Sequence, residues 1–160
     1  ELLRNSGEIK KANEYREIAE NYAREISAFA EGKTHLPLTW NSDESTFSLK
    51  YNFAFDKILG LKLFDRELLE KEVSYYLTKA QRYGIPLDTR AAYTKSDWLL
   101  WVARLTDDDK KRKIIADMVD DYLRNSPDRI PFGDWYETQD GSHHEFRARS
   151  VQGGCFILLI

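Results

Sequence analysis

Apolar residues recur at alternating three- and four-residue intervals along positions 8–30, and this spacing constrains the fold more than any other feature of the sequence. Residues spaced in this way lie on one face of an α-helix, and that face must be buried against another element. Ser6 is placed to cap the start of this helix, and Gly32 stands where a left-handed residue would end it. We therefore predict an amphipathic helix whose inward stripe consists of Ala12, Tyr15, Ala19, Tyr22, Ala23, Ile26, Phe29 and Ala30.

The same helical spacing returns in most of the remaining chain. Pro37 and the polar run at 41–45 interrupt it, and Gly60 and the sequence Gly84-Ile85-Pro86 end two of the later helices. No pair of segments shows the alternation expected of paired strands, and no internal repeat is strong enough to indicate a solenoid. The pattern predicts a single all-α domain over 1–160, built from helical hairpins in series, with further helices at 52–59, 65–83, 95–105, 107–124 and 150–160.

Composition excludes several classes of protein. A hydrophobic content of 42% with four tryptophans is too high for an intrinsically disordered chain. The net charge is only −3, and the basic run 110–113 directly follows the acidic run 107–109, so we predict a solvated helix face and no nucleic-acid binding. No apolar run approaches the roughly 18 residues of a membrane span. A single cysteine excludes an internal disulfide.

Three segments carry a resemblance to a known family. They are the stretch at 51–61, the stretch at 83–101 with its Tyr-Gly-Ile-Pro-Leu-Asp-Thr-Arg and Thr-Lys-Ser-Asp-Trp sequences, and the stretch at 129–154, which opens Arg-Ile-Pro-Phe-Gly-Asp-Trp-Tyr-Glu-Thr. Together they are similar to the C-terminal region of the fungal-type glutaminase A family. The three segments occur in the same order and cover most of the chain from position 50 onward.

This resemblance implies a fold and an activity. Family members are expected to form six-hairpin (α/α)6 toroids, so the chain would be a partial toroid, and the family hydrolyses L-glutamine to L-glutamate and ammonia. The chain lacks an initiator methionine and opens almost directly into a helix, so we expect a fragment of a longer, multidomain protein. The resemblance implies that this fragment is the C-terminal part of the parent and that the parent is secreted or periplasmic. The expected partners are a small-molecule substrate and the remaining domains of the parent, with no cofactor.

Asp97 is the first candidate catalytic residue. It shares one helical neighbourhood with Trp98 and Trp101, so a carboxylate lies beside two indole faces that could wall a site for a small polar substrate. A structural alternative is a capping box, in which Thr94 starts the helix and Asp97 binds a free backbone N–H. The two tryptophans could equally be core residues.

Asp134 is the second candidate catalytic residue, and Trp135 follows it as a candidate substrate-binding residue. Both lie in a loop bounded by Pro131 and Gly133. Loops on a rigid scaffold often carry functional side chains, although an aspartate in a turn can also bind its own backbone. We predict that Asp97 and Asp134 meet at one end of the helix layer, where their mutual repulsion would raise one pKa and divide the roles of acid and base.

Asp88, Arg90 and Arg147 are further candidates for substrate binding. A guanidinium is the natural bidentate partner of a substrate carboxylate, as in glutamine. A structural alternative pairs Asp88 with Arg90 or Arg129 as a clamp. These residues therefore carry both a binding and a structural interpretation.

Other chemistries find less support in the sequence. Cys155 lies in an apolar run that would raise its thiol pKa and lower its reactivity, and the His143-His144-Glu145 sequence lacks the spacing that places two metal ligands on one helical face. We therefore predict neither a cysteine nucleophile nor a metal site. Two other functions stay open: a glycoside-active toroid, and a non-catalytic module that braces a catalytic region elsewhere.

Overall fold

The computed structural model describes residues 2–128 and 130–160 and shows a mostly α-helical chain, as the sequence predicts. None of the helices in these two ranges is long and apolar enough to cross a membrane. The elements in chain order are α1 (Leu2–Asn5), α2 (Ile9–Ala30), a 3₁₀ turn (Tyr51–Phe53) that runs into α3 (Ala54–Ile58), α4 (Arg66–Leu77), β1 (Tyr93–Lys95), α5 (Ser96–Ala103), α6 (Asp109–Asn125), β2 (Trp135–Glu137) and a C-terminal 3₁₀ segment (Ser150–Leu159).

A short antiparallel sheet corrects the prediction that the chain holds no strand pair. β1 pairs with β2 so that Thr94 faces Tyr136 and Lys95 faces Trp135. Each strand is three residues long, which is too short for an alternating pattern to be recognised in the sequence. The sheet leads directly into α5, and it therefore fixes the position of that helix relative to the segment at 130–137.

The core lies around α5, which packs against α6 on one side and the C-terminal 3₁₀ segment on the other. This central place explains why α5 is apolar on nearly every face: Leu99, Val102 and Ala103 are completely buried. From α6, Ile115 and Val119 enter the same core. Burial of this kind stabilises a fold by about 1.5–3 kcal/mol for each large apolar side chain.

The predicted inward stripe of α2 is only partly buried. Ala12, Ala23 and Ala30 are buried, whereas Tyr15 and Tyr22 are 62% and 63% exposed, so the prediction is wrong for the two tyrosines. The spacing identifies one face of a helix but not whether a neighbour covers its whole length. The start of α2 also differs from the prediction, because the residue before its first turn is Glu8, and Ser6 instead donates its hydroxyl proton to Leu3 O.

A buried polar cluster holds the loop after α2 against α4. Glu72 is completely buried and accepts hydrogen bonds from the backbone N–H of Leu36, at 2.6 Å, and from the Tyr76 hydroxyl. Burial raises the pKa of Glu72, although both hydrogen bonds and the nearby Lys50 act in the opposite direction. The cluster therefore orders the loop at positions 35–50, which otherwise has little regular structure.

Candidate functional site

Strand pairing brings the two predicted catalytic segments together. Lys95 and Trp135 form the last pair at one end of the sheet. Next to this pair, the backbone N–H of Ser96 donates a hydrogen bond to the backbone oxygen of Asp134 at 2.9 Å. The prediction that the 94–101 and 129–136 segments approach each other is thus confirmed for 94–101 and 130–136. Arg129, which we considered as a partner of Asp88, lies outside the described residues.

Asp134 is a completely buried carboxylate between two cations. Its Oδ2 atom lies 3.5 Å from Lys95 Nζ and 3.3 Å from Arg149 Nη2. Neither carboxylate oxygen has a hydrogen-bond partner among the described residues. Within this part of the chain, only the attraction of the two cations offsets the cost of burying the negative charge of Asp134. A buried carboxylate whose oxygens have no partner is able to accept a hydrogen bond from a water molecule or a substrate.

Asp97 is the second buried carboxylate and is 8% exposed. Its Oδ1 atom has no hydrogen-bond partner within the described part of the chain. Burial raises the pKa of Asp97, and the negative charge of Asp134 raises it further. Both influences therefore favour the protonated form of Asp97.

The capping-box interpretation of Thr94 and Asp97 is wrong. Helix α5 begins at Ser96, the residue before its first turn is Lys95, and the Lys95 side chain makes no capping hydrogen bond. The Thr94 hydroxyl is buried on β1 without a hydrogen-bond partner among the described residues. Because Lys95 occupies the N-cap position, Thr94 lies one residue too early to cap the helix.

Aromatic rings surround the cation beside Asp134. Lys95 Nζ lies 5.5 Å from the ring centres of Trp135 and Phe146 and 5.9 Å from that of Trp98. A ring face attracts a cation at such distances, and this holds the ammonium next to Asp134. Lys95 and Phe146 cannot be recognised from the sequence alone, because only the pairing of β1 with β2 brings the lysine to this place.

The three candidate tryptophans differ in their surroundings. Trp98 stacks on Tyr51 with 3.8 Å between ring centres, while Trp101 uses its indole N–H to donate to Gly154 O at 3.0 Å. Trp135 stacks on His144 at 4.8 Å, and its indole nitrogen is buried without a hydrogen-bond partner among the described residues. Trp98 and Trp135 thus lie around Lys95, the cation beside Asp134, whereas the N–H of Trp101 is already engaged.

Asp88 and Arg90 form the structural clamp that the sequence left open. Arg90 donates to the Asp88 carboxylate from its backbone N–H at 2.8 Å, from Nε at 3.0 Å and from Nη2 at 2.6 Å. Asp88 and Arg90 line a cleft of about 570 Å³ together with Gln81 and Ala92, and neither Asp97 nor Asp134 lines this cleft. Arg147, the remaining candidate for substrate binding, is exposed to solvent.

The C-terminal 3₁₀ segment covers the Asp97 side of the site. Gln152 donates from Nε2 to Phe132 O at 3.3 Å, and Gly154 lies against Asp97 and Trp101. Burial raises the pKa of the Cys155 thiol, as the apolar sequence around it predicts. Within 2–128 and 130–160 there is no group of three or more histidine, cysteine, aspartate or glutamate side chains placed to hold a metal ion.

Substitution of Gly154 by alanine should weaken the packing of the C-terminal 3₁₀ segment on Asp97 and Trp101. The added Cβ would lie 2.6 Å from Trp101 Nε1 and 3.2 Å from Asp97 Cβ, so the segment must shift and the Trp101 hydrogen bond must break. We expect the free energy of unfolding to fall by about 1–3 kcal/mol, the usual cost of overpacking, together with a red shift of tryptophan fluorescence.

Gly153 provides the matched control for this substitution. A Cβ at Gly153 meets nothing within 4 Å, so Gly153→Ala should leave the urea midpoint and the fluorescence maximum unchanged. Equal urea midpoints for the two variants would contradict the close packing of Gly154 on Asp97.

Comparisons with known proteins agree with the resemblance seen in the sequence. The family model described as the glutaminase A six helical-hairpin domain matches residues 1–159. Glutaminase A of Aspergillus oryzae is 36% identical over 129 residues, which are 79% of this chain and 18% of that relative. A protein of Arthroderma benhamiae named as a probable glutaminase is 35% identical over 97 residues, which are 59% of this chain and 11% of that relative.

The chain thus spans less than a fifth of the length of either relative. No solved structure matches it. A family model that covers nearly every residue, together with the collinear match to Aspergillus glutaminase A, decides the family: this chain belongs to the glutaminase A six helical-hairpin domain family.

Proposed function

We propose that this chain supplies the acid–base carboxylates of a glutamine-hydrolysing parent protein. The observation that carries the proposal is the convergence of Asp97 and Asp134, two buried carboxylates with unpartnered oxygens among the described residues. Such groups are costly to bury and therefore concentrate at functional sites. The names of the two relatives support glutamine as the substrate.

The two carboxylates would divide the chemistry of amide hydrolysis. Asp134, whose carboxylate lies between Lys95 and Arg149, would take a proton from water as the water oxygen attacks the amide carbonyl carbon. Asp97, whose raised pKa favours the protonated form, would donate its proton to the nitrogen as the C–N bond breaks. The products are ammonia and glutamate, and the indole rings of Trp98 and Trp135 would border the substrate.

The isolated 160-residue chain should not turn over glutamine. The chain covers only 18% and 11% of the lengths of the two relatives, so we expect the residues that complete a substrate pocket beside the two carboxylates to lie in the rest of the parent. Errors of about 1 Å in positioning already cost on the order of a hundredfold in rate. We expect no ammonia release above a heat-inactivated control from the purified chain, and measurable release from the full-length parent protein.

The same assay discriminates between substrates. Two carboxylates bordered by tryptophan rings also occur in glycoside hydrolysis, so the parent should be offered a panel of glycosides beside glutamine. Sugar release without ammonia release would replace glutamine by a glycoside as the substrate. Ammonia release by the 160-residue chain alone would contradict the expectation that the remaining domains are needed.

Exposed apolar side chains favour a second, non-catalytic function for part of this surface. On α2 the exposed side chains include Tyr15, Ile18 and Tyr22, and at the end of the chain they include Phe156 and Leu159. Large exposed apolar patches commonly mark interaction surfaces. We propose that these faces dock against the remaining domains of a secreted or periplasmic parent, which would make the chain a brace as well as part of the site.

A further inference from the structure

A cleft at the C-terminal end of α2 forms a candidate site apart from the carboxylate pair. Its volume is about 370 Å³, which lies in the range of roughly 300–1,000 Å³ typical of small-molecule pockets. Its walls are mainly apolar and include Phe29 from α2, Leu36, Leu38 and Trp40 from the following loop, and Phe53. The cleft is large enough for one or two rings.

Two aromatic side chains give the cleft a preference for flat molecules. The rings of Phe29 and Trp40 lie 4.4 Å apart at 56°, so they form an angled wall. Trp40 is 54% exposed even though it lines the cleft. A planar ligand that covered this indole would remove apolar surface from water and gain a ring–ring contact.

Lys50 gives the cleft its charge, because it is the charged residue among the nine that line it. Its ammonium donates to Pro37 O at 2.9 Å, to Ser48 O at 3.3 Å and to Ser48 Oγ at 2.6 Å, and all three acceptors are uncharged. Among the described residues, no carboxylate oxygen lies within 4.0 Å of this ammonium. Lys50 is half-buried, and a charge that is partly removed from water is normally paired, so this cation lacks its usual counter-ion.

The direction of the pKa shift of Lys50 agrees with the absence of a carboxylate next to its ammonium. Burial lowers its pKa, and the negative charges of Glu72 and Asp88 oppose this only in part. Glu72 is itself engaged by the Leu36 backbone N–H and the Tyr76 hydroxyl. An anion that entered the cleft would therefore supply the ion pair that the chain does not.

We propose that this cleft binds a small, flat organic anion, whose ring packs on Trp40 and Phe29 while its carboxylate or sulfonate pairs with Lys50. The ligand class follows from the shape, the aromatic wall and the unpaired cation. It is independent of the glutaminase proposal, because none of the residues that carry it belongs to the Asp97–Asp134 site.

The first test uses a pair of fluorescent probes on the 160-residue chain. 8-Anilinonaphthalene-1-sulfonate carries an anionic group, and N-phenyl-1-naphthylamine has the same rings without it. We expect Lys50→Met to weaken binding of the sulfonate probe at least about tenfold and to leave the neutral probe unchanged. Lys10→Met, which removes an exposed lysine on α2, should alter neither, and Trp40→Ala should weaken both.

A competition measurement on the unmodified chain keeps the test independent of any folding defect in the variants. Benzoate should displace the sulfonate probe, and the neutral benzamide should not. Displacement by both compounds or by neither would overturn the proposal. So would equal affinities of Lys50→Met and the unmodified chain for the sulfonate probe, which would indicate an apolar surface shaped for a protein side chain instead.

Discussion

Asp97→Asn and Asp134→Asn, made separately in the full-length parent protein, should each lower kcat for glutamine at least about 100-fold, the typical contribution of a general acid or base. Asparagine has nearly the same shape as aspartate but neither donates an acidic proton nor accepts one from water. Both side chains are buried, yet neither occupies the N-cap position of α5, so the helical circular dichroism signal should be unchanged. Steady-state ammonia release measures the effect.

An exposed carboxylate gives the matched control for this experiment. Asp109 lies in the first turn of α6 with its side chain 92% exposed, and Asp109→Asn should leave kcat unchanged. Loss of helical signal in Asp97→Asn or Asp134→Asn would show that the carboxylate is structural. Retention of full activity with an intact fold would remove that residue from the mechanism.

Lys95→Met should lower the free energy of unfolding of the 160-residue chain by about 3 kcal/mol, the scale expected when a buried carboxylate loses a partner. The substitution keeps the length of the side chain and its contacts with the aromatic rings, but it leaves the completely buried Asp134 with Arg149 alone. Asp134→Asn should cost less, because the two cations that it leaves behind still reach solvent.

A double-mutant cycle separates the ion pair from other effects of the lysine. The variant with both Lys95→Met and Asp134→Asn should be more stable than the sum of the single changes predicts, by at least about 1 kcal/mol. Lys113→Met removes a lysine from an exposed pair with Asp117 and should cost less than about 1 kcal/mol. Additive effects at Lys95 and Asp134 in urea unfolding would contradict their coupling.

The sequence predicts the helices well because their evidence is local. In α5 and α6, apolar residues at helical spacing mark the faces that meet in the core, and Leu99 and Ile115 are both completely buried. On α2 the same spacing fails for Tyr15 and Tyr22, since periodicity does not reveal which neighbour covers a face. The family resemblance, confirmed over residues 1–159, rests on motifs that the spacing alone would not identify.

The candidate site is only partly predictable from the sequence, because it depends on a long-range contact. Asp97 and Asp134 are recognisable as candidates in the sequence because each directly precedes a tryptophan. The structure then brings their segments together. Lys95 carries no local signal, since its role depends on a three-residue strand that pairs with residues some 40 positions away. For Asp88 and Arg90 the sequence allows either substrate binding or a structural clamp, and the structure shows the clamp.

The pKa of the Asp97 carboxyl in the 160-residue chain, followed by ¹³C NMR, tests the coupling of the two carboxylates most directly. We expect a pKa above the ordinary value of 3.8 in the unmodified chain, because burial and the charge of Asp134 both disfavour ionisation. In Asp134→Asn the pKa should fall, because the neighbouring charge is gone, yet stay above 3.8, because the burial remains. An ordinary pKa that does not respond to Asp134→Asn would contradict a coupled acid–base pair.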